Sequence, residues 1–301
     1  MLGIVFVILA GILWAIDTLI RYPLLGAGVS AEKIVFIEVL FLSVLFIPLI
    51  LKDAKKFGGI KLSTLFYFMV IGFGGQAIGG LAFTKAFMLI NPSLVILLQK
   101  LQPIVAISLA RVLLGEKIKK EFVLWAAVAL IGGLLISSVD ILPGLGHLDF
   151  TMGLLTKNAI WGYTLALIAV GCWGASTVFG KKLSNQGFDE IQIMGGRFIF
   201  GLVFMTFYLY YRFGGLSLEW SAITYGKVLV MVLLSGLAGM YFYYKGLKTI
   251  SARACAIAEL FFPFSAVVIN WVFLGAKLLP VQILGAVLLI LSSAVIQLKK
   301  Y

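Results

Sequence analysis

Residues 91–117 read NPSLVILLQKLQPIVAISLARVLLGEK, and residues 251–277 read SARACAIAELFFPFSAVVINWVFLGAK. The two stretches align without a gap, so that Pro103 matches Pro263 and each copy ends in Leu-Gly-X-Lys. A proline inside a helix removes one amide donor and crowds the carbonyl four residues earlier, which kinks the helix. The pattern therefore predicts two apolar helices of the same design, each kinked near its middle.

A polar residue stands four positions before each proline, Gln99 in the first copy and Glu259 in the second. These are the residues whose carbonyls the prolines crowd. An unsatisfied carbonyl in lipid costs several kcal/mol, so a broken helix is expected only inside protein or beside a water-filled cavity. The repeated kinks at Pro103 and Pro263 therefore predict a functional site.

The composition indicates an integral membrane protein. Of the 301 residues, 62% are hydrophobic and only 12% are charged, with a mean hydropathy of +1.12. Such a chain needs lipid around it. The net charge of +12 comes largely from lysines in short connections between apolar runs, so we expect no nucleic-acid binding. Two cysteines inside apolar runs and a single histidine predict no disulfide framework, metal site or cofactor.

Ten apolar runs approach the roughly 20 residues needed to cross a bilayer. They cover approximately 2–20, 34–51, 64–90, 93–114, 121–138, 159–180, 190–211, 224–249, 251–274 and 279–298. The longest connection, residues 139–158, separates a first five-helix repeat (1–138) from a second (159–301). Landmarks recur in order at an offset of 159 or 160, with Trp14 matching Trp173 and Glu38 matching Arg197. Because five is odd, the second repeat must be inverted, and such repeats are typical of secondary transporters with a central cavity.

Loop lysines and arginines predict the orientation. The basic residues concentrate on the side of the two termini, whereas few, including Arg21, are assigned to loops on the other side. Both termini are therefore expected in the cytoplasm, with the protein in the plasma (inner) membrane.

The sequence resembles the drug/metabolite transporter superfamily, in its ten-helix EamA-type form. The resemblance lies in GILW at residues 11–14, LGEK at 114–117, LGAK at 274–277, GCWG at 171–174 and Arg197. It covers essentially the whole chain and implies two inverted five-helix repeats around a central cavity, with export or exchange of a small organic solute. Glu38, Lys100 and Ala276 depart from the family pattern, so the resemblance implies no particular solute.

Ionisable residues inside predicted spans indicate functional positions by default. The predicted topology gives an outer layer and an inner layer: Asp17, Glu38, Lys85 and Lys100 in the outer one, and Arg197, Lys245 and Glu259 in the inner one. We expect Asp17 and Glu38 to neutralise the two outer lysines. The layers predict the two gates, or ends, of an alternating-access cavity. The alternatives are snorkelling for Lys85 and Lys245, and static ion pairs for the others.

Two hypotheses follow from charges beside the kinks. Glu259 is a candidate protonatable group that couples proton movement to transport. Lys100 is a candidate anchor for an acidic group on the solute.

Aromatic and amide side chains are candidates for the cavity wall. Trp14, Trp173, Tyr241 and Tyr244 offer stacking surfaces and hydroxyls, with helix packing or an interfacial belt as the alternative. Gln76 lies in the glycine-rich segment 72–80, GFGGQAIGG. A partly broken helix there would turn Gln76 toward the cavity, whereas close helix packing through small residues is the alternative.

The sequence thus predicts a secondary active transporter, an exporter or exchanger of a small metabolite such as an amino acid, working by alternating access. Its partners would be the solute, membrane lipid and, for coupling, protons; the oligomeric state is left open. A channel or uniporter-like pore and a lipid scramblase without ion coupling are the alternatives. An enzyme is not expected, because the sequence has no Gly-X-Ser-X-Gly motif, paired intramembrane aspartates or histidine cluster.

Overall fold

The computed structural model of the protein describes residues 2–52, 58–115, 118–141, 154–215, 219–247, 249–250 and 258–299. Every regular element in these ranges is a helix. In chain order they are α1 Leu2–Gly26, α2 Ala31–Lys52, α3 Leu62–Ala86, α4 Pro92–Leu114, α5 Lys120–Ile141, α6 Leu154–Asn185, α7 Glu190–Phe213, α8 formed by the consecutive segments Ala222–Met231, Val232–Gly239 and Met240–Leu247, α9 Phe261–Leu274 and α10 Pro280–Lys299.

The prediction of an all-helical integral membrane protein is confirmed. Within the described ranges, nine helices are long and apolar enough to cross a membrane, and α9, with 14 residues, is shorter. The predicted ninth span began at residue 251, and residues 251–257 lie outside the described ranges. The inversion of the two halves and the domain limits at 138 and 159 remain predictions.

The predicted kink in α4 is a 3₁₀ turn, Gln99–Leu101. The Gln99 carbonyl accepts the amide of Gln102 across this turn, and the Glu259 carbonyl accepts the amide of Phe262 in the same way, at 3.3 Å. Tightening the turn replaces the bond that proline removes. Both carbonyls are therefore paired within their own chain segment, and the functional site expected at the kinks remains a prediction.

Both copies of the repeated stretch end in the same way. Gly115 closes α4 with φ 71°, and Gly275 closes α9 with φ 65°. A left-handed residue after the last turn lets its amide bond a helix carbonyl, and glycine adopts this conformation without steric penalty. The two glycines explain why each kinked helix stops at the shared Leu-Gly motif.

The glycine-rich middle of α3 is a π-helical segment, Val70–Ile78, and α8 has its counterpart in Val232–Gly239. The segment is a continuous helix, so the expected partial break is not seen, whereas the close packing proposed as the alternative is. The helix is widened, and a Cβ added at Gly75 would overlap Ser176 Oγ of α6. Segments of π-helix are rare and occur frequently at functional sites.

The helices around the centre are α1 to α4 and α6 to α9, whereas α5 and α10 pack against each other. At that contact Gly132 and Gly285 face one another, and a Cβ on Gly132 would lie 2.7 Å from the Gly285 carbonyl oxygen. Small residues let two helices approach closely in a membrane. The α5–α10 pair therefore leaves the other eight helices to surround the cavity.

Candidate functional site

A central cavity of about 500 Å³ lies between α1, α2, α3, α4, α6, α7, α8 and α9. Its volume is within the roughly 300–1,000 Å³ of small-molecule sites in proteins. Aromatic, amide, hydroxyl and charged side chains all reach it. The cavity can therefore hold an organic solute and contact both its apolar and its polar parts.

Eight of the predicted site residues line this cavity: Trp14, Asp17, Glu38, Gln76, Gln99, Lys100, Trp173 and Arg197. Pro103, Glu259 and Pro263 are not part of its wall, and Tyr241 is 58% exposed on α8. Tyr244 lies on the same helix, and its side chain is outside the described part of the structure. The roles of all these residues remain predictions.

An ion cluster joins four helices at one end of the cavity. Arg21 is 5% exposed; its Nε and Nη2 bind Asp17 at 2.7 and 3.1 Å, and Nη2 also binds Glu38 at 3.0 Å. Its Nη1 donates to Thr84 Oγ1 at 3.0 Å. Ser235 Oγ of α8 donates to Asp17 Oδ1 at 2.8 Å. A buried ion cluster is tolerated when its geometry and hydrogen bonds are good, as they are here.

The sequence prediction missed Arg21 and assigned it to a loop. The structure corrects this, because α1 continues through Arg21 to Gly26 and carries Arg21 into the cavity wall. Asp17 and Arg21 are four residues apart and so lie on one helix face. This spacing was the signal that could have found the pair. Thr84 and Ser235 carry no comparable sequence signal.

The expected partners of the outer lysines were also wrong. Arg21 binds Asp17 and Glu38, whereas Lys85 Nζ binds Glu32 Oε1 of α2 at 2.7 Å. The reason is again the length of α1. Because α1 continues past residue 20, the Arg21 guanidinium lies beside Asp17 and Glu38 and pairs with them in place of the lysines. For Lys85 the ion pair replaces the snorkelling alternative.

Lys100 interacts electrostatically with Glu259. Their assignment to separate outer and inner layers did not anticipate this interaction. The helix α9 packs against Pro92–Leu98, the first part of α4. Glu259 Oε1 also accepts the Tyr243 hydroxyl at 2.7 Å. Lys245, by contrast, is exposed, and its Nζ lies 4.9 Å from the Phe6 ring centroid, so snorkelling remains an alternative for it.

Trp14 and Trp173 each donate a hydrogen bond from the indole nitrogen to a main-chain carbonyl of another helix. Trp14 Nε1 donates to the Ser235 carbonyl at 3.0 Å, and Trp173 Nε1 donates to the Gly75 carbonyl at 2.8 Å. Each acceptor lies in a π segment of the other half of the chain. Since the N–H is the only donor of an indole, both rings offer the cavity an apolar π surface.

Further aromatic rings extend these walls. Phe262 packs edge-on against Trp14 at 6.0 Å between centroids, and Phe83 lies 5.2 Å from Trp173. Gln76 lines the cavity as predicted, and its Oε1 accepts from Arg197 Nε at 2.9 Å. The site therefore combines two aromatic walls with amide and cationic donors.

The chain belongs to the EamA-like transporter family, whose model matches residues 1–138 and 160–298. It is therefore a multi-pass membrane transporter and not an enzyme. It is similar to the riboflavin transporter ImpX of Fusobacterium nucleatum, with 32% identity over 301 residues, covering 96% of this chain and 95% of the relative. It is also similar to the uncharacterized transporter YyaM of Bacillus subtilis, with 24% identity over 272 residues, covering 86% and 83%.

A solved crystal structure has the same fold. It superposes with a TM-score of 0.58 over 97% of this chain and 95% of that chain, at 16% identity.

Proposed function

We propose that the protein is a secondary carrier of a planar heteroaromatic solute of the flavin class, with riboflavin as the first substrate to test. The observation that carries the proposal is the central cavity with two indole walls whose N–H groups are already bonded to the backbone. The 32% identity to a riboflavin transporter supports the same substrate class. Aromatic walls bind flat rings by stacking, while nearby amides and hydroxyls orient the polar parts.

The ion cluster argues against the amino acid expected from the sequence. A zwitterion needs an anionic and a cationic partner. Asp17 and Glu38, the carboxylates of the described cavity wall, are already engaged by Arg21, so neither is left to bind an ammonium group. A neutral solute such as riboflavin requires no break in these pairs.

Transport by alternating access, as an exporter or exchanger, is the mode we propose. The reciprocal bonds of Trp14 and Trp173 connect each half of the chain to the other around the cavity. A carrier of this kind exchanges solute through one central site that opens to either side in turn. A pore or a lipid scramblase would instead allow flux without saturation by the solute.

Counterflow in proteoliposomes tests the proposal. Vesicles loaded with unlabelled riboflavin should accumulate labelled riboflavin transiently and saturably, and the inward and outward rates give the direction. Trp14→Ala and Trp173→Ala should each reduce counterflow by about tenfold or more, because loss of a stacked ring costs about 1–3 kcal/mol. Trp161→Ala is the matched control, since Trp161 is 55% exposed on the same helix as Trp173.

Three results would contradict the proposal. They are counterflow driven by amino acids but not by riboflavin, riboflavin flux that does not saturate, and lipid flipping that proceeds at the same rate with or without solute.

The coupling role of Glu259 is a separate part of the proposal. Glu259 accepts a hydrogen bond from Tyr243 and acts on Lys100, so a change in its charge reaches the cavity wall. Glu259→Gln should abolish accumulation driven by a proton gradient and leave exchange intact. Full proton-driven accumulation in this variant would exclude Glu259 as the coupling group.

A further inference from the structure

Gln99, in the broken turn of α4, lines the cavity and carries a buried amide nitrogen, Nε2, without a hydrogen-bond partner among the described residues. Two other buried side-chain atoms in those residues share this property, Ser43 Oγ and Asn270 Oδ1, but only Gln99 belongs to the cavity wall. Buried polar groups are normally paired, so an unpaired amide nitrogen on a residue of the cavity wall indicates a group that a ligand satisfies once the side chain turns toward the cavity.

The 3₁₀ turn explains why this amide is available. The Gln99 carbonyl, which Pro103 would otherwise leave unpaired, already accepts the amide of Gln102. The Gln99 side chain is therefore not required to cap the broken helix. Its terminal amide has one donor and one acceptor side by side, and it presents this pair in either orientation of the group.

Lys100 is next in the turn and also lines the cavity. The Lys100 side chain offers N–H donors, and a neutral carbonyl oxygen accepts from them without bringing a further charge into the cavity. Together, an amide and an amine donor match a ligand edge in which a carbonyl, an N–H and a second carbonyl follow one another.

We propose that Gln99 and Lys100 form a subsite for an imide edge, –CO–NH–CO–. The Gln99 amide pairs with the N–H and one carbonyl, while Lys100 lies toward the other carbonyl. The indole faces of Trp14 and Trp173 line the same cavity and bind the attached ring. This inference rests on the proposed function, because the flavin ring ends in such an edge, and it assigns that end of the solute to α4.

A comparison of two ligands tests the subsite on the purified full-length protein in nanodiscs. Methylation at N3 of riboflavin removes the imide donor and leaves the ring system intact. The wild type should bind riboflavin about tenfold more tightly than N3-methylriboflavin, measured by flavin fluorescence. Gln99→Leu should bind both ligands equally weakly, so the discrimination disappears. Lys100→Met should weaken both ligands by a similar factor and keep their ratio.

Ser43→Ala is the matched control, because it removes another unpaired buried polar atom that is not part of the cavity wall. This variant should keep both the affinity and the discrimination of the wild type. Gln99→Asn, which keeps the amide on a shorter side chain, should show an intermediate ratio and serves as the test if Gln99→Leu does not fold.

The outcomes separate this inference from the proposed function. If the wild type binds no flavin, the proposed substrate class is wrong, and the same ratio measured with uridine and N3-methyluridine decides the imide subsite. The imide inference is overturned if the wild type does not distinguish the methylated ligand in either pair, if neither pair binds, or if Gln99→Leu retains full discrimination.

Discussion

Trp14 in α1 and Trp173 in α6 make equivalent bonds to the backbone, but the residues three positions later differ. Asp17 follows Trp14 and belongs to the ion cluster with Arg21. Ser176 follows Trp173, and its Oγ donates to the Cys172 carbonyl of its own helix at 2.8 Å. We call the Trp14–Ser235 contact and the Trp173–Gly75 contact the two joints between the halves of the chain. The first joint therefore depends on charge, and the second on close packing.

The residues that accept the two tryptophan hydrogen bonds, Ser235 and Gly75, also differ. Ser235, whose carbonyl accepts from Trp14, uses its hydroxyl to bind Asp17. Gly75, whose carbonyl accepts from Trp173, has no side chain, and Ser176 fills that space. The shared tryptophan bonds define the frame of the cavity, while these differences make its two ends chemically unlike.

The largest loss of stability is expected for substitutions in the ion cluster beside Trp14. Arg21→Met leaves the buried Asp17 and the half-buried Glu38 without their cation, and removing one partner of a buried ion pair costs about 3–5 kcal/mol. The thermal unfolding midpoint of the detergent-purified protein should fall strongly. Ser176→Ala, at the equivalent position of the other tryptophan contact, removes only a hydroxyl bonded within its own helix, so its midpoint should fall less.

A neutral replacement of the cluster provides the control. In Arg21→Met combined with Asp17→Asn and Glu38→Gln, most of the lost stability should return, because buried ion sets can be replaced by neutral groups at little cost. Equal midpoints for Arg21→Met and Ser176→Ala would show that the two ends do not differ as the structure indicates.

The arrangement of apolar helices was predictable because the sequence repeats its pattern in two halves. Hydropathy located the helices, and the alignment of Trp14 with Trp173 placed two rings at related points of one cavity. The pairing of charges was not predictable in the same way. Arg21 lies past the apolar run, and only packing decides that α1 continues to Gly26.

The sequence also did not predict which residues at the kinks would line the cavity. Glu259 and Pro263 match Gln99 and Pro103 in the alignment, yet of these four only Gln99 lines the cavity. Rotation of a kinked helix about its axis depends on its neighbours rather than on residue spacing. The tryptophan acceptors were hidden too, since they are main-chain carbonyls, which any residue supplies.

An effect of intermediate size is expected at the close-packed joint. Gly75→Ala places a methyl group against Ser176, and overpacking of this kind typically costs about 1–3 kcal/mol. Gly74→Ala is its neighbouring control, because nothing lies within 4 Å of a Cβ there. The unfolding midpoint should fall for Gly75→Ala and hold or rise for Gly74→Ala. A Gly75→Ala protein as stable as the wild type would contradict close packing as the basis of this joint.

The smallest effect concerns the tryptophan bonds themselves. Trp173→Phe removes one hydrogen bond, which contributes about 1 kcal/mol net, beyond any loss of ring contact. Trp14→Phe should cost more, because its acceptor residue Ser235 also holds Asp17, and residues in one network are coupled by about 0.5 kcal/mol or more. Trp161→Phe controls for the change of ring on an exposed surface.

A double-mutant cycle then isolates the difference between the joints. In an Asp17→Asn background the excess loss for Trp14→Phe over Trp173→Phe should shrink, since Ser235 no longer links the indole to a charged carboxylate. Unfolding midpoints of the four proteins in each cycle provide the measurement. If the excess is the same in both backgrounds, Trp14 stabilises its joint independently of the ion cluster, and the two ends differ only in the residues beside the tryptophans.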